Sequence, residues 1–315
     1  MATLAVVRDM KKNVEVTGEP VAIANRTLCL VYSFGLPGNS KKLKESQFSA
    51  LDADKKMIHA NKVLLDSKEL KAIANADGEL RTFLDTYCLP HPNRAVKIVP
   101  YEKVVEIADV CDRYQERREN ELIPAFIDAY PRLCEQAEKR LGKVYNPADY
   151  PDKKYMLSKF RFRYQFLNFG TVPAELRELK RELYRNEQKK AREVMAEAAE
   201  GIIQVRRAMF LKLVEHLKDK LTPDADGKEK IFRDTAVTKL QEFVDSFDVY
   251  NVANDEEGAA LAAKIRELVS GINPDQLRTS EGFKEKVLKA VGKVSGELGN
   301  LVVEKPSRKF RLVKG

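Results

Sequence analysis

Aromatic and cationic side chains alternate with a period of two along Lys159-Phe160-Arg161-Phe162-Arg163-Tyr164-Gln165-Phe166. A strand places successive side chains on opposite faces. As a strand, this stretch carries Phe160, Phe162, Tyr164 and Phe166 on one face and Arg161, Arg163 and Gln165 on the other. Two uses of such a ribbon are open. Its rings could stack on bases while the arginines hold phosphates, or the rings could line a small core and leave the arginines in water. Four exposed aromatics on one face are costly in a soluble monomer, which favours pairing with another strand candidate, Thr27 to Phe34 or Ala95 to Val99.

Around this ribbon the chain reads as helix. Asp66 and Ser67 are candidate N-caps for an amphipathic helix through Leu70, Ile73, Leu80, Phe83 and Leu84 to Leu89-Pro90, with a possible interruption at Asp77-Gly78. Pro100 opens a rod with Val104, Ile107, Ala108, Cys111 and Tyr114 along one seam, expected to bend or break at Pro124 and Pro131 before ending near Leu141 at a Gly142 C-cap. Pro173 opens the longest helix, to about Leu221, with its central stretch Arg185 to Glu193 almost wholly polar.

Beyond the turn Thr222 to Gly227, helices are expected over about Lys228 to Phe247, Glu257 to Ser270 and Ser280 to Val294. Pro274 marks a turn, and Gly292, Gly296 and Gly299 weaken the last helix. The basic end Lys305 to Lys314 reads as an edge strand or an arm. The expected fold is mainly α with a small β element (α+β): a long antiparallel helical hairpin or coiled coil plus a C-terminal helical region. Three regions follow: 1–66, β-containing; 67–221, the hairpin with its aromatic-basic strand near 159–170; and 228–315, helical with a basic tail.

Charge is distributed unevenly. Asp152 to Arg192 holds 12 Lys or Arg against 5 Asp or Glu, whereas Asp219 to Gly258 holds 5 against 11. The first segment suits nucleic acid or an acidic protein; the second would repel a polyanion. The ordinary alternative for each cluster is a solvated helix face. Under the nucleic-acid reading the contact residues are Lys159, Phe160, Arg161, Phe162, Arg163, Tyr164, Phe166, Lys189, Lys190 and Arg192.

No catalytic constellation emerges. Gly35-Leu36-Pro37-Gly38-Asn39-Ser40-Lys41-Lys42 follows a strand but has Ser40 in place of the second glycine of a phosphate loop and Lys42 in place of its Ser or Thr. Asp224-Ala225-Asp226-Gly227 opens like a calcium loop, without the later ligands. His59, His91 and His216 share no ligand spacing, and Cys29, Cys88, Cys111 and Cys134 form no C-x-x-C pair. Neither a metal nor another cofactor is expected. No stretch is apolar enough for a membrane span, and the thiols suit a reducing compartment, so a cytoplasmic protein is expected.

The order of elements, with Leu28-Cys29-Leu30-Val31-Tyr32-Ser33-Phe34-Gly35, then Lys62-Val63-Leu64-Leu65-Asp66-Ser67-Lys68-Glu69-Leu70, a proline-bent helix and the aromatic-basic ribbon, resembles an uncharacterised family in phages and mobile elements. The resemblance spans about residues 27 to 220. Such proteins are often encoded near MoxR-type AAA ATPases and von Willebrand A-like proteins. This implies an adaptor or assembly role in a bacterial host cell, with an AAA ATPase as one partner, and supplies no catalytic residues. Long charged rods with narrow apolar seams point the same way, to a non-enzymatic scaffold that associates with itself or a partner. The alternative is a single-stranded DNA or RNA binder.

Overall fold

The computed structural model describes residues 21–44, 60–223, 230, 234–270, 277 and 280–302. The expected calcium-like turn, the Pro274 turn, His59 and the basic tail lie outside them. A short helix α1 (Val21–Ala24) leads into β1 (Thr27–Gly35), and β2 (Ser40–Lys42) pairs with β3 (Asn61–Val63) as a small ribbon. Helix α2 (Lys68–Tyr87) is followed by β4 (Leu89–Pro90), β5 (Val96–Pro100), α3 (Val104–Arg117) and α4 (Ile123–Leu141). Then come α5 (Lys153–Lys159), β6 (Arg161–Asn168), α6 (Glu175–Leu179) and α7 (Arg181–Leu221). The last helices are α8 (Thr235–Asp245), α9 (Phe247–Tyr250), α10 (Glu256–Ser270) and α11 (Glu281–Leu301).

The fold is mainly α with a small β element, as expected. The main sheet is antiparallel, in the order β4-β5-β1-β6, so the aromatic-basic ribbon pairs with the Thr27 strand and the Val96 strand lies on that strand's other side. Leu30 is opposite Phe166, Tyr32 opposite Tyr164 and Phe34 opposite Phe162. These residues share one face, and α2 and α3 cover it through Leu80, Leu84, Ile107 and Cys111. Behind that layer, α2, α4 and α5 enclose Ile73, Ile123, Phe126, Leu133, Met156 and Phe160.

Local signals act where they stand alone. Ser67 caps α2, its Oγ accepting the Leu70 N–H at 3.0 Å, and Gly142, at φ 49°, stops α4. α2 is not interrupted at Asp77-Gly78: Asp77 faces inward, where Arg118 Nε donates to it at 3.1 Å. The rod after Pro100 does not break at its prolines. Pro124 falls in the first turn of α4, just after a single π turn over Arg118–Leu122 in which the Ile123 N–H reaches Arg118 O, and α4 runs through Pro131.

The long helices differ most from expectation. They do not pair as a hairpin, because their apolar positions belong to separate cores. α3 and α4 pack on the sheet and α2, whereas α7 gives Met195, Ala198 and Ile202 to the opposite face of the sheet and Phe210, Val214, Leu217 and Leu221 to a bundle with α8, α10 and α11. α7 also starts at Arg181, after an extended Lys180 (φ −160°, ψ 113°) that separates it from α6. At 1.5 Å per residue its 41 residues span about 60 Å. The C-terminal bundle therefore begins inside α7. The glycines of α11 do not end it at Val294, since Val287, Val291, Val294 and Leu298 bury a continuous stripe as far as Leu301.

Candidate functional site

β6 separates its two sets of side chains as period two demands. Phe162 is buried, its ring 4.9 Å from Tyr114 and 5.2 Å from Phe34. Phe160, just before the strand, is buried against Phe126 at 5.3 Å with the Arg118 guanidinium 5.9 Å from its ring. Tyr164 and Phe166 are half-buried on the same face, and the Tyr164 hydroxyl donates to Asp112 on α3. Burial of apolar side chains of this size is worth about 1.5–3 kcal/mol each. Phe160 and Phe162 are core, whereas Tyr164 and Phe166 keep part of their rings at the surface.

Arg161, Arg163 and Gln165 are exposed on the opposite face. Arg161 Nε donates to Ser158 O at 3.3 Å, and Arg163 has no hydrogen-bond or ion-pair partner among the described residues. Of the other expected contact residues, Lys159 lies half-buried with Nζ 4.2 Å from the Tyr155 ring. Lys189, Lys190 and Arg192 are exposed on α7, where Lys190 pairs with Glu187 at 2.7 Å and Lys189 with Glu193 at 3.9 Å. The two arginines and the α7 cations thus belong to different elements, and the α7 lysines already have carboxylate neighbours.

The same face of the sheet carries a groove of about 420 Å³. Cys29, Val31, Val96 and Leu167 form its floor on this face of the sheet, and Lys190, Ala191 and Val194 of α7 form one wall. The groove takes in neither Arg161 nor Arg163. It opens where α7 leaves the sheet: Met195, Ala198 and Ile202 pack down on Cys29 and Ile98, and the helix N-terminal to them lifts away. Gly170, at φ 72°, turns the chain out of β6 at one end, where a Cβ would stand 2.5 Å from Met195 Sδ. Sequence periodicity did not identify this groove, because its apolar residues are spread over β1, β5, β6, the segment through Phe169, Val172 and Pro173, α6 and α7, with few from any one element.

His91 lines the same groove. Burial holds its imidazole below the usual histidine range, and its Nδ1 accepts the Asn93 N–H at 2.9 Å. Among the described residues no carboxylate or thiol hydrogen-bonds or ion-pairs with it, and the charge of Glu197 raises its pKa only in part against the larger effect of burial. Burial pushes Cys29 and Cys111 up to about 11 and Cys88 to about 12, so these thiols stay protonated at neutral pH.

A second hollow, of about 520 Å³, adjoins the glycine loop through Gly38, Ser40 and Lys41. The loop runs into β2 instead of a helix, so it lacks the aligned N–H groups of a phosphate cradle. Lys41 is instead paired with Asp149, and Lys62 Nζ lies 2.7 Å from the same carboxylate. Burial alone would raise Asp149, but the two ammonium groups outweigh it and hold the carboxyl below its ordinary range. Among the described residues, no cluster of three His, Cys, Asp or Glu could hold a metal, and no helix is long and apolar enough to cross a membrane. Comparison with known proteins finds no matching family model, no matching curated protein and no matching solved structure.

Proposed function

We propose that this chain is a non-enzymatic scaffold or adaptor that works through protein contacts, including contacts with further copies of itself. The observation that carries this reading is the arm formed by α6 and the first turns of α7. From Glu175 to Val194 no side chain is buried, while Leu179 is 78% exposed and Leu183 40%. A helical segment of this length that fully buries no side chain gains little from its own hydrogen bonds in water. A second arm laid against it would cover the leucines. Opposite charges such as Arg181 and Glu182, or Lys189 and Glu193, alternate along both copies and allow that approach.

Light scattering on the full chain across a concentration series tests the reading. The expected result is a mass that rises with concentration, with the Leu179→Glu/Leu183→Glu variant remaining monomeric under the same conditions. A monomer at every concentration would remove self-association. Salt-sensitive binding of single-stranded DNA or RNA, lost in Arg161→Ala/Arg163→Ala, would favour the nucleic-acid alternative instead.

A further inference from the structure

Among the described residues, the hydrogen-bonding ladder of β6 is used on one side only. Its eight residues pair with β1 without a bulge, from Gly35 opposite Arg161 to Leu28 opposite Asn168, and the sheet ends there. Among the described residues, no backbone hydrogen bond from 161–168 runs to anything but β1. In an antiparallel edge strand every second residue directs its N–H and C=O outward. Sheets commonly protect such an edge with proline, a bulge, a short strand or charged side chains, and of these β6 has only the charges of Arg161 and Arg163, which repel a basic strand and attract an acidic one.

We propose that this free edge takes up an extended segment of a partner protein as a fifth strand, and that alternate side chains of that segment are acidic. The proposal rests on the reading of the chain as a protein-contact scaffold and names the chemistry of its partner. Arg161 and Arg163 stand two residues apart on the exposed face, about 7 Å along the strand. Side chains on one face of an added strand recur at the same interval, so two carboxylates fall beside the two guanidiniums. The intervening side chains of the added strand lie beside Tyr164 and Phe166, whose rings are half-buried and leave an apolar rim. A second copy of β6 fits less well, because it adds two more arginines to the same face. A nucleic acid has no peptide ladder to offer.

The test uses the full chain and a fluorescent, end-capped peptide that alternates glutamate and valine. Two control peptides accompany it, one with lysine for glutamate and one N-methylated at every backbone nitrogen. Cross-strand pairs of opposite charge are favourable and like charges directly opposite are unfavourable, so turning two attractive pairs into two repulsive ones should change affinity by about tenfold. The glutamate peptide is expected to bind and both controls to bind about tenfold more weakly or not at all. In Arg161→Glu/Arg163→Glu, whose side chains are exposed and whose folding circular dichroism would verify, the preference should reverse toward the lysine peptide.

Equal binding of the N-methylated peptide would overturn the proposal, since it removes the ladder. So would equal binding of the lysine peptide, or displacement of the peptide by a single-stranded oligonucleotide. A dimer that is lost in Arg161→Glu/Arg163→Glu, with no peptide binding, would assign the edge to a second copy. The mass of the Leu179→Glu/Leu183→Glu variant reports on self-association separately, so failure at the edge and failure of the scaffold reading are distinguishable.

Discussion

At the scale of single residues, the most consequential group is the Arg118 guanidinium. It is buried, with Nε donating to the buried Asp77 carboxylate at 3.1 Å and Nη2 donating to Gly35 O at 2.8 Å, and the Tyr114 hydroxyl donates to the same carboxylate. One side chain thereby ties α2, the π turn and the end of β1 together. Arg118→Ala is expected to cost about 3–5 kcal/mol, because it leaves a buried carboxylate without its counter-ion. Asp77→Leu/Arg118→Met should recover most of that loss in urea unfolding, and a double variant as weak as the single one would refute the account. His91 gives a pH dependence of definite sign. Its folded-state pKa lies below the unfolded value, so its contribution is complete above about pH 6.5 and declines as pH falls toward the lowered value. Melting temperatures between about pH 5 and 8 should show an acid-side loss in the parent that is smaller in His91→Asn. Ser67 and Gly142 were legible in the sequence because caps act locally. Arg118 and Asp77 were not, since their partnership joins residues far apart in sequence and neither position differs in type from an ordinary charged helix surface.

At the scale of elements, period two in β6 and period 3.6 in the helices were strong enough to be read directly, and the cost of exposing its rings favoured pairing of β6 into a sheet, with β1 and β5 both open as its neighbour. The break at Lys180 carries no proline or glycine to announce it. Within α7, Gly201 has open space where a Cβ would stand, as Gly292, Gly296 and Gly299 have in α11. A glycine inside a helix is disfavoured relative to alanine by about 0.8–1 kcal/mol, so Gly201→Ala should stabilise the protein by about that much. Thermal unfolding is the measurement, and an unchanged or lowered midpoint would mean that some close approach at Gly201 requires the missing side chain. Gly170 is the contrasting case, where positive φ and the nearness of Met195 make alanine unfavourable.

At the scale of the whole molecule, α7 is shared by two cores, and its role as a tie is reinforced around Arg206 and Arg207. The Arg206 guanidinium lies 4.1 Å from the Phe243 ring and 4.9 Å from that of Tyr250, and burial lowers its pKa to about 10. Arg207 grips Asp255 through Nε at 2.9 Å and Nη2 at 2.6 Å. Arg26 donates across the same junction to Asn251 O and Asp248 O, each at 3.1 Å. Val205 lies on α7 between Ile202 in the sheet core and Phe210 in the bundle core, and it is 37% exposed. Val205→Pro removes a helical hydrogen bond there, costing about 3 kcal/mol or more. Calorimetry is expected to show one transition in the parent and two in this variant; a single, merely lowered transition would mean that the contacts flanking α7 couple the halves without it. The alternation of β6, most helix spans and the excess of cations around them could be read from the chain alone, because periodicity, capping and composition act over a few residues. Tertiary packing was needed to place the long helices in separate cores, to pair β6 with β1 and not β5, and to leave one edge of β6 unpaired among the described residues. Those outcomes depend on which distant apolar surfaces cover one another, and no short window of residues specifies that.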